Sequence, residues 1–224
     1  MGIQENKALL KRVPLFSVLT DPQLDELSSV VVKRAFPKNR AIVTEGEATQ
    51  WLYILLNGKA KVQVSDEEGR EVILAILSAG EFFGEMGLLD ESPRSASVIT
   101  IESCEFLAIA KEDFNRCLRH NFEMSMLIMR GLVKRLREAD KKIETLALLD
   151  VYGRVARALI EMSTLVNGER IIKKLLPRQE IAKMIGASRE MVSRVMKEFE
   201  MEGLVLENPD GSVTIRDNII AARF

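Results

Sequence analysis

The chain has 224 residues, a hydrophobic content of 47% and a formal net charge of −1, which suit one large domain or two modest ones. No segment approaches the roughly 20 uninterrupted apolar residues of a membrane span, and the charged N-terminus lacks the apolar core of a signal peptide. We therefore expect a cytoplasmic protein with no membrane partner. Cys104, Cys117 and His120 are too few ligands for an iron–sulfur cluster or a structural zinc, so no metal is expected.

The first predicted elements are a helix and then a series of short strands. The helix lies near Lys7–Leu10 and again over Asp21–Val31, and it ends before Pro37. The hydrophobic pattern then takes the period of two that is typical of strands, predicted over 41–44, 51–56, 60–64, 72–77, 97–100 and 104–109. Asn57-Gly58 predicts a hairpin and Asp66–Gly69 a second turn, and short strands with such turns indicate an antiparallel barrel or roll.

From Lys111 to about Leu149 the pattern predicts one long helix. Apolar residues recur at intervals of three and four, as on a helix that buries one face: Met129, Leu132, Val133, Leu136, Ala139, Ile143, Leu146 and Ala147. This stripe is longer than a globular helix usually needs, and a coiled-coil contact with a second copy of the chain explains it. The alternative is a helix that packs against its own roll.

A further helix and strand follow this long helix. Asp150 is predicted to cap the helix at its N-terminus, and Asn167-Gly168 is predicted to end it. A short strand is then expected over 169–174.

The last part of the chain predicts a winged helix-turn-helix. Two helices are expected within 178–202, with Gly186 in the turn between them, and Gly203 ends the second helix. A hairpin around Asn208–Gly211 completes the wing. Residues 151–224 carry a net charge of only +2, so any DNA contact must come from the local placement of basic side chains.

The segment FGEMGLLDESPRSA, residues 83–96, combines residue types that can hold a sugar phosphate. Gly84 and Gly87 permit a close approach of the backbone, and the N–H groups of 87–89 would form an anion site if they begin a short helix. Glu85 can accept a hydrogen bond from a ribose hydroxyl.

Arg94 and Ser95 complete the polar set of this segment. Arg94 offers a planar fork for two phosphate oxygens, and Ser95 adds a hydroxyl donor. The alternative is a surface loop in which Glu85 and Arg94 merely pair with each other. Because no pair of nucleophile and base is visible around these residues, we do not expect an enzyme.

Residues 83–96 resemble the phosphate-binding cassette of cyclic-nucleotide-binding domains, seen in bacterial cyclic-AMP receptor proteins and in protein kinase A regulatory subunits. We call them the cassette. The resemblance implies that Glu85 takes the ribose hydroxyl and that Arg94 and Ser95 hold the cyclic phosphate. Gly84 and Met86 belong to the same implied ligand site.

The two helices of 178–202 predict an apolar inner face and a polar outer face. The inner face consists of Ile181, Ile185, Val192, Val195 and Phe199. Ser188 can cap the second helix, which leaves Arg189, Glu190 and Arg194 facing outward. Arginine can bind guanine O6 and N7 and a carboxylate can accept from cytosine N4, so the triplet predicts a reader of a half-site containing G·C pairs. The alternative is a solvated helix with a Glu190–Arg194 ion pair.

The segments RQEIAKMIGASREMVSR and LALLDVYGRVAR, which begins at Leu146, resemble the recognition element and the hinge of the cyclic-AMP receptor protein branch of the CRP/FNR family. With the cassette, the resemblance covers nearly the whole chain and implies an α+β fold. Its expected parts are a cyclic-nucleotide-binding β-roll over 1–113, a long dimerisation helix and hinge over 114–149, and a winged helix-turn-helix DNA-binding domain over 150–224.

The resemblance also implies partners. A homodimer is expected on a palindromic double-stranded DNA operator with TGTGA-like half-sites, where Arg178 and Ser188 contact phosphates without reading sequence. RNA polymerase is a further expected partner. The segment between Asp150 and Arg178, where this family has a polymerase-contacting loop, looks shorter here.

The chain departs from the family on the long helix. Cyclic-AMP receptor proteins reach the purine with two adjacent hydroxyl residues, and the matching positions here hold Ala139 and Asp140. A carboxylate meets one donor group on adenine but N1–H and N2–H₂ together on guanine, so Asp140 indicates cGMP or c-di-GMP rather than cAMP. Arg135 and Arg137 could bind a second guanine. The alternative is a solvated Asp140 paired with Arg137 or a nearby lysine.

Two other functions remain open on the sequence. One is a redox or haem sensor of the same family, for which the cysteine and histidine content gives little support. The other is a nucleotide-binding signalling module without a DNA role, like a kinase regulatory subunit.

Overall fold

A computed structural model describes residues 3–219 and divides the chain into two compact units. The first unit runs to Arg70 and continues over Leu74–Leu136, and the second contains Glu71–Ile73 and the chain from Arg137 onward. Each unit has its own apolar core. Within the described range, none of the helices combines the length and the apolar character that crossing a membrane requires.

The first unit begins with helices α1 (Ile3–Lys11) and α2 (Asp21–Val30), separated by a short 3-10 turn. A strand that the sequence did not predict, β1 (Val32–Phe36), follows directly. It is an edge strand with two charged residues, Lys33 and Arg34, and Lys33 pairs at 2.6 Å with Glu105 on the neighbouring strand. Because these two charged residues are adjacent, the segment lacks the alternation of apolar and polar residues by which a strand is predicted.

The roll itself consists of two antiparallel four-stranded sheets, ordered β1-β8-β3-β6 and β2-β7-β4-β5. Its remaining strands are β2 (Ala41–Val43), β3 (Trp51–Asn57), β4 (Ala60–Ser65), β5 (Glu71–Leu77), β6 (Phe82–Phe83), β7 (Ser97–Thr100) and β8 (Cys104–Ala110). The predicted antiparallel roll is confirmed. A four-residue helix, α3 (Met86–Leu89), interrupts the strands inside the cassette.

The hairpin predicted at Asn57-Gly58 is wrong, because β3 and β4 lie in different sheets. A two-residue hairpin turn of this kind needs positive φ at both positions, and among this pair only Gly58 has it, at 92°. A side chain at Gly58 would bring its Cβ within 2.5 Å of the Ser103 carbonyl oxygen. The dipeptide therefore forms a tight corner between sheets. The predicted turn at Asp66–Gly69 is confirmed, with the Gly69 N–H 3.0 Å from the Asp66 carbonyl oxygen.

The long helix predicted from Lys111 is two helices, α4 (Lys111–His120) and α5 (Phe122–Leu148). Asn121 separates them because its backbone is extended, with φ −140° and ψ 97°. Its side-chain Oδ1 accepts a hydrogen bond of 2.8 Å from the Met124 N–H and so caps the start of α5.

Helix α5 has two apolar faces, one packed within the first unit and one exposed. One face packs through Met124, Leu127, Ile128 and Leu132 into an apolar cluster shared with α1, α2 and one face of the β3–β8 pair. A second face stays exposed, at 46% for Met129, 50% for Val133, 62% for Leu136 and 65% for Ile143.

Besides the C-terminal part of α5, the described part of the second unit contains further helices and a four-stranded antiparallel sheet ordered β11-β12-β10-β9. Its elements are α6 (Val151–Met162), β9 (Thr164–Val166), β10 (Glu169–Ile172), α7 (Arg178–Ile185), α8 (Arg189–Met201), β11 (Val205–Glu207), β12 (Val213–Ile215) and a last 3-10 turn (Asp217–Ile219). The predicted cap is confirmed, since Asp150 Oδ1 accepts from the Gly153 N–H at 2.9 Å.

Asn167-Gly168 does not end α6, contrary to the sequence prediction. That helix ends at Met162, and the dipeptide forms the tip of the β9–β10 hairpin, where both residues have positive φ, 51° and 86°. The wing is confirmed: β11 and β12 pair, and the Gly211 N–H donates to the Asn208 carbonyl oxygen at 2.9 Å in the turn between them.

Candidate functional site

Two glycines let the cassette fold tightly on itself. Gly84 follows β6 with φ 89°, and a Cβ there would lie 2.9 Å from the Trp51 carbonyl oxygen. A Cβ at Gly87 would lie 3.0 Å from Thr49 Cβ. Close approach is therefore required at both positions, although the atoms approached here belong to the protein itself.

Arg94 is buried at the floor of the cassette, with 7% of its surface exposed. Its Nη1 donates to the Gly84 carbonyl oxygen at 3.1 Å, and its Nη2 donates to the Trp51 carbonyl oxygen at 2.7 Å. Burial lowers the pKa of the guanidinium, and the nearby Tyr53 and Glu85 raise it. An arginine stays protonated in proteins, so the site holds a buried positive charge whose described acceptors are neutral carbonyls.

Glu85 is fully buried and has an arginine partner, but that partner is not Arg94. Its Oε1 accepts a hydrogen bond of 2.6 Å from Nη1 of Arg135 on α5. Its Oε2 is also buried and has no hydrogen-bond partner among the described residues. The alternative in which Glu85 and Arg94 neutralise each other is therefore not what the structure shows.

Arg135 has a second attachment to the cassette side of the roll. Its Nη2 donates to the Phe82 carbonyl oxygen, and its guanidinium lies 5.0 Å from the centre of the Phe82 ring. The sequence predicted Arg135 as a ligand residue for a second guanine, and its pairing with Glu85, 50 positions earlier, was missed. No local spacing signals a contact between residues so far apart in sequence.

The other predicted ligand residues of the cassette lie at its surface. Ser95 is exposed, and its hydroxyl donates to the sulfur of Met86 at 3.9 Å, with Met86 itself 50% exposed. The amides of Leu88 and Leu89 both donate to the Glu85 carbonyl oxygen at 3.0 Å. Because these two donors are occupied, the anion site expected from the N–H groups of 87–89 is reduced to that of Gly87.

Ala139 and Asp140 lie on the part of α5 that belongs to the second unit, and both are exposed. Within the described chain, Asp140 forms no ion pair with Arg137 or with a lysine. The structure thus leaves the Asp140 carboxylate open to solvent.

The helix-turn-helix is held by its inner face and by its turn. All five predicted inner-face residues are buried. Gly186 sits in the turn with φ 63°, and Arg154 of α6 donates through Nη1 to the Ile185 carbonyl oxygen at 2.8 Å. Ser188 caps α8 as predicted, with its Oγ 3.2 Å from the Met191 N–H.

The predicted reading triplet is exposed on the first two turns of α8: Arg189, Glu190 and Arg194. A hydrogen bond from its own backbone amide, aided by one from the Ser188 hydroxyl, lowers the pKa of Glu190. In the described chain no ion pair joins Glu190 to Arg194. Arg178, predicted to contact phosphate, pairs with Glu200 at 2.9 Å.

Two family models match the chain, one in each half. The cyclic nucleotide-binding domain matches residues 33–121, which include the cassette. The Crp-like helix-turn-helix domain matches residues 153–218, which include α7 and α8.

Curated relatives and solved structures agree with this order of domains. The chain is 35% identical to the cyclic AMP receptor protein of Thermus thermophilus over 208 residues, 93% of this chain and 94% of the relative. It is 36% identical to the cAMP-activated global transcriptional regulator CRP of Haemophilus influenzae, over 83% of this chain and 84% of the relative. The structure of CLP, the c-di-GMP responsive global regulator of Xanthomonas campestris, has a TM-score of 0.73 and 26% identity over 88% of this chain and 99% of that one. The chain belongs to the CRP/FNR family of transcription regulators, with a cyclic nucleotide-binding domain followed by a Crp-like DNA-binding domain.

Proposed function

We propose that the protein is a homodimeric transcription regulator whose affinity for a palindromic operator is controlled by a cyclic nucleotide in the cassette. The observation that carries this proposal is the fully buried Glu85, whose Oε2 has no partner among the described residues. A buried carboxylate oxygen without a donor is costly, and a ribose hydroxyl would supply one.

Arg94 supports the same ligand chemistry. It now donates to two neutral carbonyl oxygens, and a phosphate would offer it charged acceptors, which form stronger hydrogen bonds. Ser95 is exposed beside it and can turn its hydroxyl from the Met86 sulfur to a phosphate oxygen. A ligand with a ribose hydroxyl on one side and a phosphate on the other would give Glu85 Oε2 a donor and Arg94 a charged acceptor.

Relatives and residues of the chain favour two kinds of cyclic nucleotide. The Thermus and Haemophilus relatives are named for cAMP, which favours cAMP here. Asp140, exposed where family members carry a hydroxyl, favours the donor-rich edge of guanine, as in cGMP or c-di-GMP. The likeness to CLP supports c-di-GMP as the second candidate.

On the DNA side, Arg189, Glu190 and Arg194 are proposed to read base edges in TGTGA-like half-sites about 34 Å apart, one helical turn. Arg178 and Ser188 are proposed to contact phosphates. RNA polymerase is proposed as a further partner. Burial raises the pKa of the Cys104 and Cys117 thiols, which lowers their reactivity and speaks against a thiol-based redox sensor.

The proposal is tested by thermal shift and calorimetry with cAMP, cGMP and c-di-GMP on the wild type and on Arg94→Ala and Arg94→Lys. A ligand at 100 times its dissociation constant adds about 2.7 kcal/mol to the stability. At about 2–4 °C per kcal/mol for a chain of this size, the melting midpoint should rise by roughly 5–11 °C. We expect Arg94→Ala to weaken binding at least about a hundredfold, because hydrogen bonds to charged groups contribute about 1.5–3 kcal/mol each. Arg94→Lys keeps the charge and loses the fork, so its affinity should fall between the two.

Operator binding separates the remaining functions. A duplex with TGTGA and its inverted copy should bind more tightly than a scrambled duplex, and the nucleotide should change that affinity. Nucleotide binding with no preference for the duplex would favour a signalling module without a DNA role. Duplex preference with no response to any nucleotide would leave a regulator that has lost ligand control.

A further inference from the structure

Phe82 fills a space on α5 that only a glycine leaves open. A Cβ at Gly131 would lie 2.8 Å from Phe82 Cζ and 3.3 Å from its Cε1. Real Cβ atoms essentially never come so close to an aromatic carbon, so any other residue at this position would displace the ring. The backbone of α5 and the edge of the ring are therefore in direct contact.

Arg135 bounds the same ring one helical turn later. Residues four apart lie on the same face of a helix, which brings the Arg135 guanidinium over Phe82 at 5.0 Å from the ring centre. Its Nη2 donates to the Phe82 carbonyl oxygen. The Phe82 ring therefore contacts α5 at two residues: Gly131, which has no side chain, and Arg135, which carries a charge.

The strand that carries Phe82 leads directly into the cassette. Neighbouring strand residues point to opposite faces, so Phe83 enters the core of the roll, where it stacks on Tyr53 at 5.2 Å, while Phe82 meets α5. Gly84 and Glu85 come next in the chain. A displacement of the cassette backbone at Gly84 or Glu85 would therefore move the Phe82 ring, because these residues lie only two and three positions after Phe82.

Glu85 links this contact to the ligand site. Its Oε1 accepts from Arg135 at 2.6 Å, and its Oε2 is the buried oxygen that lacks a described partner. An ionised carboxylate accepts at both oxygens, so a ligand hydroxyl on Oε2 and Arg135 on Oε1 can bind at the same time. Whether Glu85 can accept both hydrogen bonds depends on the position of Arg135. The contact between Gly131 and Phe82 fixes that position, because it sets the distance of α5 from β6.

We propose that Gly131 and Phe82 are positioning residues through which α5 registers occupancy of the cassette. This inference rests on the proposed function and adds to it the contact that carries the signal. Ligand binding moves the Phe82–Glu85 segment, the ring moves against the bare backbone at Gly131, and Arg135 follows Glu85. The response then travels along α5, which is one continuous helix of 27 residues that ends at Leu148.

The test compares the wild type with Gly131→Ala, Phe82→Leu and Arg130→Ala. Gly131→Ala adds the methyl group that the ring excludes, and Phe82→Leu removes the ring carbons without adding bulk. Arg130→Ala is the matched control, since it changes an exposed residue in the same turn of the helix. cAMP, cGMP and c-di-GMP are each titrated by calorimetry, and hydrogen exchange of the α5 amides is followed with and without each nucleotide.

For a nucleotide that binds the wild type, we expect a change in α5 exchange that Arg130→Ala keeps and that both other variants lose. The ratio of operator affinities with and without nucleotide, about 5–150-fold in typical allosteric coupling, should fall toward one in Gly131→Ala and Phe82→Leu. Both variants should still bind the nucleotide, within about tenfold of wild type. A purely structural role would lower stability and leave this ratio unchanged.

The outcomes separate the inference from the function on which it rests. Nucleotide binding with a full exchange response and an unchanged ratio in Phe82→Leu would overturn the inference and leave the proposed function intact. Absence of binding by all three nucleotides to the wild type would remove both. If Gly131→Ala does not fold, Phe82→Leu decides alone, because it introduces no clash.

Discussion

Buried charge at the cassette is compensated unequally at its two ends. Arg94 has two neutral acceptors for its guanidinium, whereas Glu85 has one strong donor and one oxygen without a described partner. Removing one partner of a buried ion pair is strongly destabilising because the other charge stays behind. Replacing Arg135 should therefore destabilise the roll, and under the proposed function it should also weaken ligand binding.

On α7 and α8, single substitutions should distinguish residues that read base edges from residues that contact phosphates. Arg189→Ala is expected to weaken operator binding by about 1–3 kcal/mol and to relax specificity at one base pair, because a bidentate contact to guanine is lost. Arg189→Lys keeps the positive charge that Arg189→Ala loses, but it should recover little of the specificity at that base pair. The measurement is fluorescence anisotropy with the TGTGA duplex and single-base variants of it.

Arg178→Ala is the control for that experiment. Its loss should weaken binding to all duplexes by a similar factor and reduce the slope of affinity against salt by about one. Equal operator affinity of Arg189→Ala and wild type would contradict the assignment of α8 as the reading helix.

How far single residues could be predicted depended on whether their partners were local. The glycines of the cassette, the Ser188 cap and the outward triplet on α8 follow from short-range spacing, and the structure places them as expected. The Arg135–Glu85 pair and the carbonyl partners of Arg94 join distant parts of the chain. Their geometry depends on packing, which spacing does not encode.

Among the elements, the two Asn-Gly pairs show where pattern reasoning succeeds and fails. Asn167-Gly168 makes the tight hairpin that such a pair favours, whereas Asn57-Gly58 turns the chain from one sheet to the other. Which of the two forms a hairpin depends on whether the flanking strands share a sheet. That is decided by the pairing of β3 with β8, whose residues are about fifty positions apart.

The turn of the helix-turn-helix gives a test at this scale. Gly186→Ala should destabilise the second unit by about 1–2 kcal/mol, because the left-handed conformation at φ 63° costs a side chain that much. The cost should be conformational rather than steric, since the nearest atom to a new Cβ lies 3.8 Å away.

Gly186→Asn is the matched control, because asparagine tolerates this conformation and should cost less. Hydrogen exchange of the α7 and α8 amides would measure the local effect without assuming that both units unfold together. An alanine variant as stable as the wild type would show that the turn can relax away from the left-handed conformation.

At the scale of the whole molecule, the exposed apolar face of α5 is the surface on which the proposed dimer would form. Met129, Val133, Leu136 and Ile143 are spaced by intervals of a helical seam, and Asp140 occupies the vacant place between the last two. In the proposed symmetric dimer the two copies of Asp140 would approach one another. Such a polar interruption costs stability and can specify the pairing.

Leu136→Glu should convert the proposed dimer to monomer, since like charges would replace the centre of an apolar contact. Asp140→Leu should tighten the dimer for the opposite reason and change the preference among the three nucleotides. Lys141→Glu, an exposed change on another face of the helix, is the control. Sedimentation equilibrium of the four proteins measures the effect, and an unchanged mass for Leu136→Glu would place the dimer contact elsewhere.

Trp51 is the one tryptophan in the chain, and it lies beside Arg94 at the proposed ligand site. Its carbonyl oxygen receives Arg94 at 2.7 Å, and its indole ring lies 4.8 Å from the Arg34 guanidinium. Whatever draws Arg94 away from that carbonyl changes the surroundings of the sole indole fluorophore. The unlabelled protein therefore carries its own optical reporter, and its emission spectrum should follow occupancy of the cassette in real time.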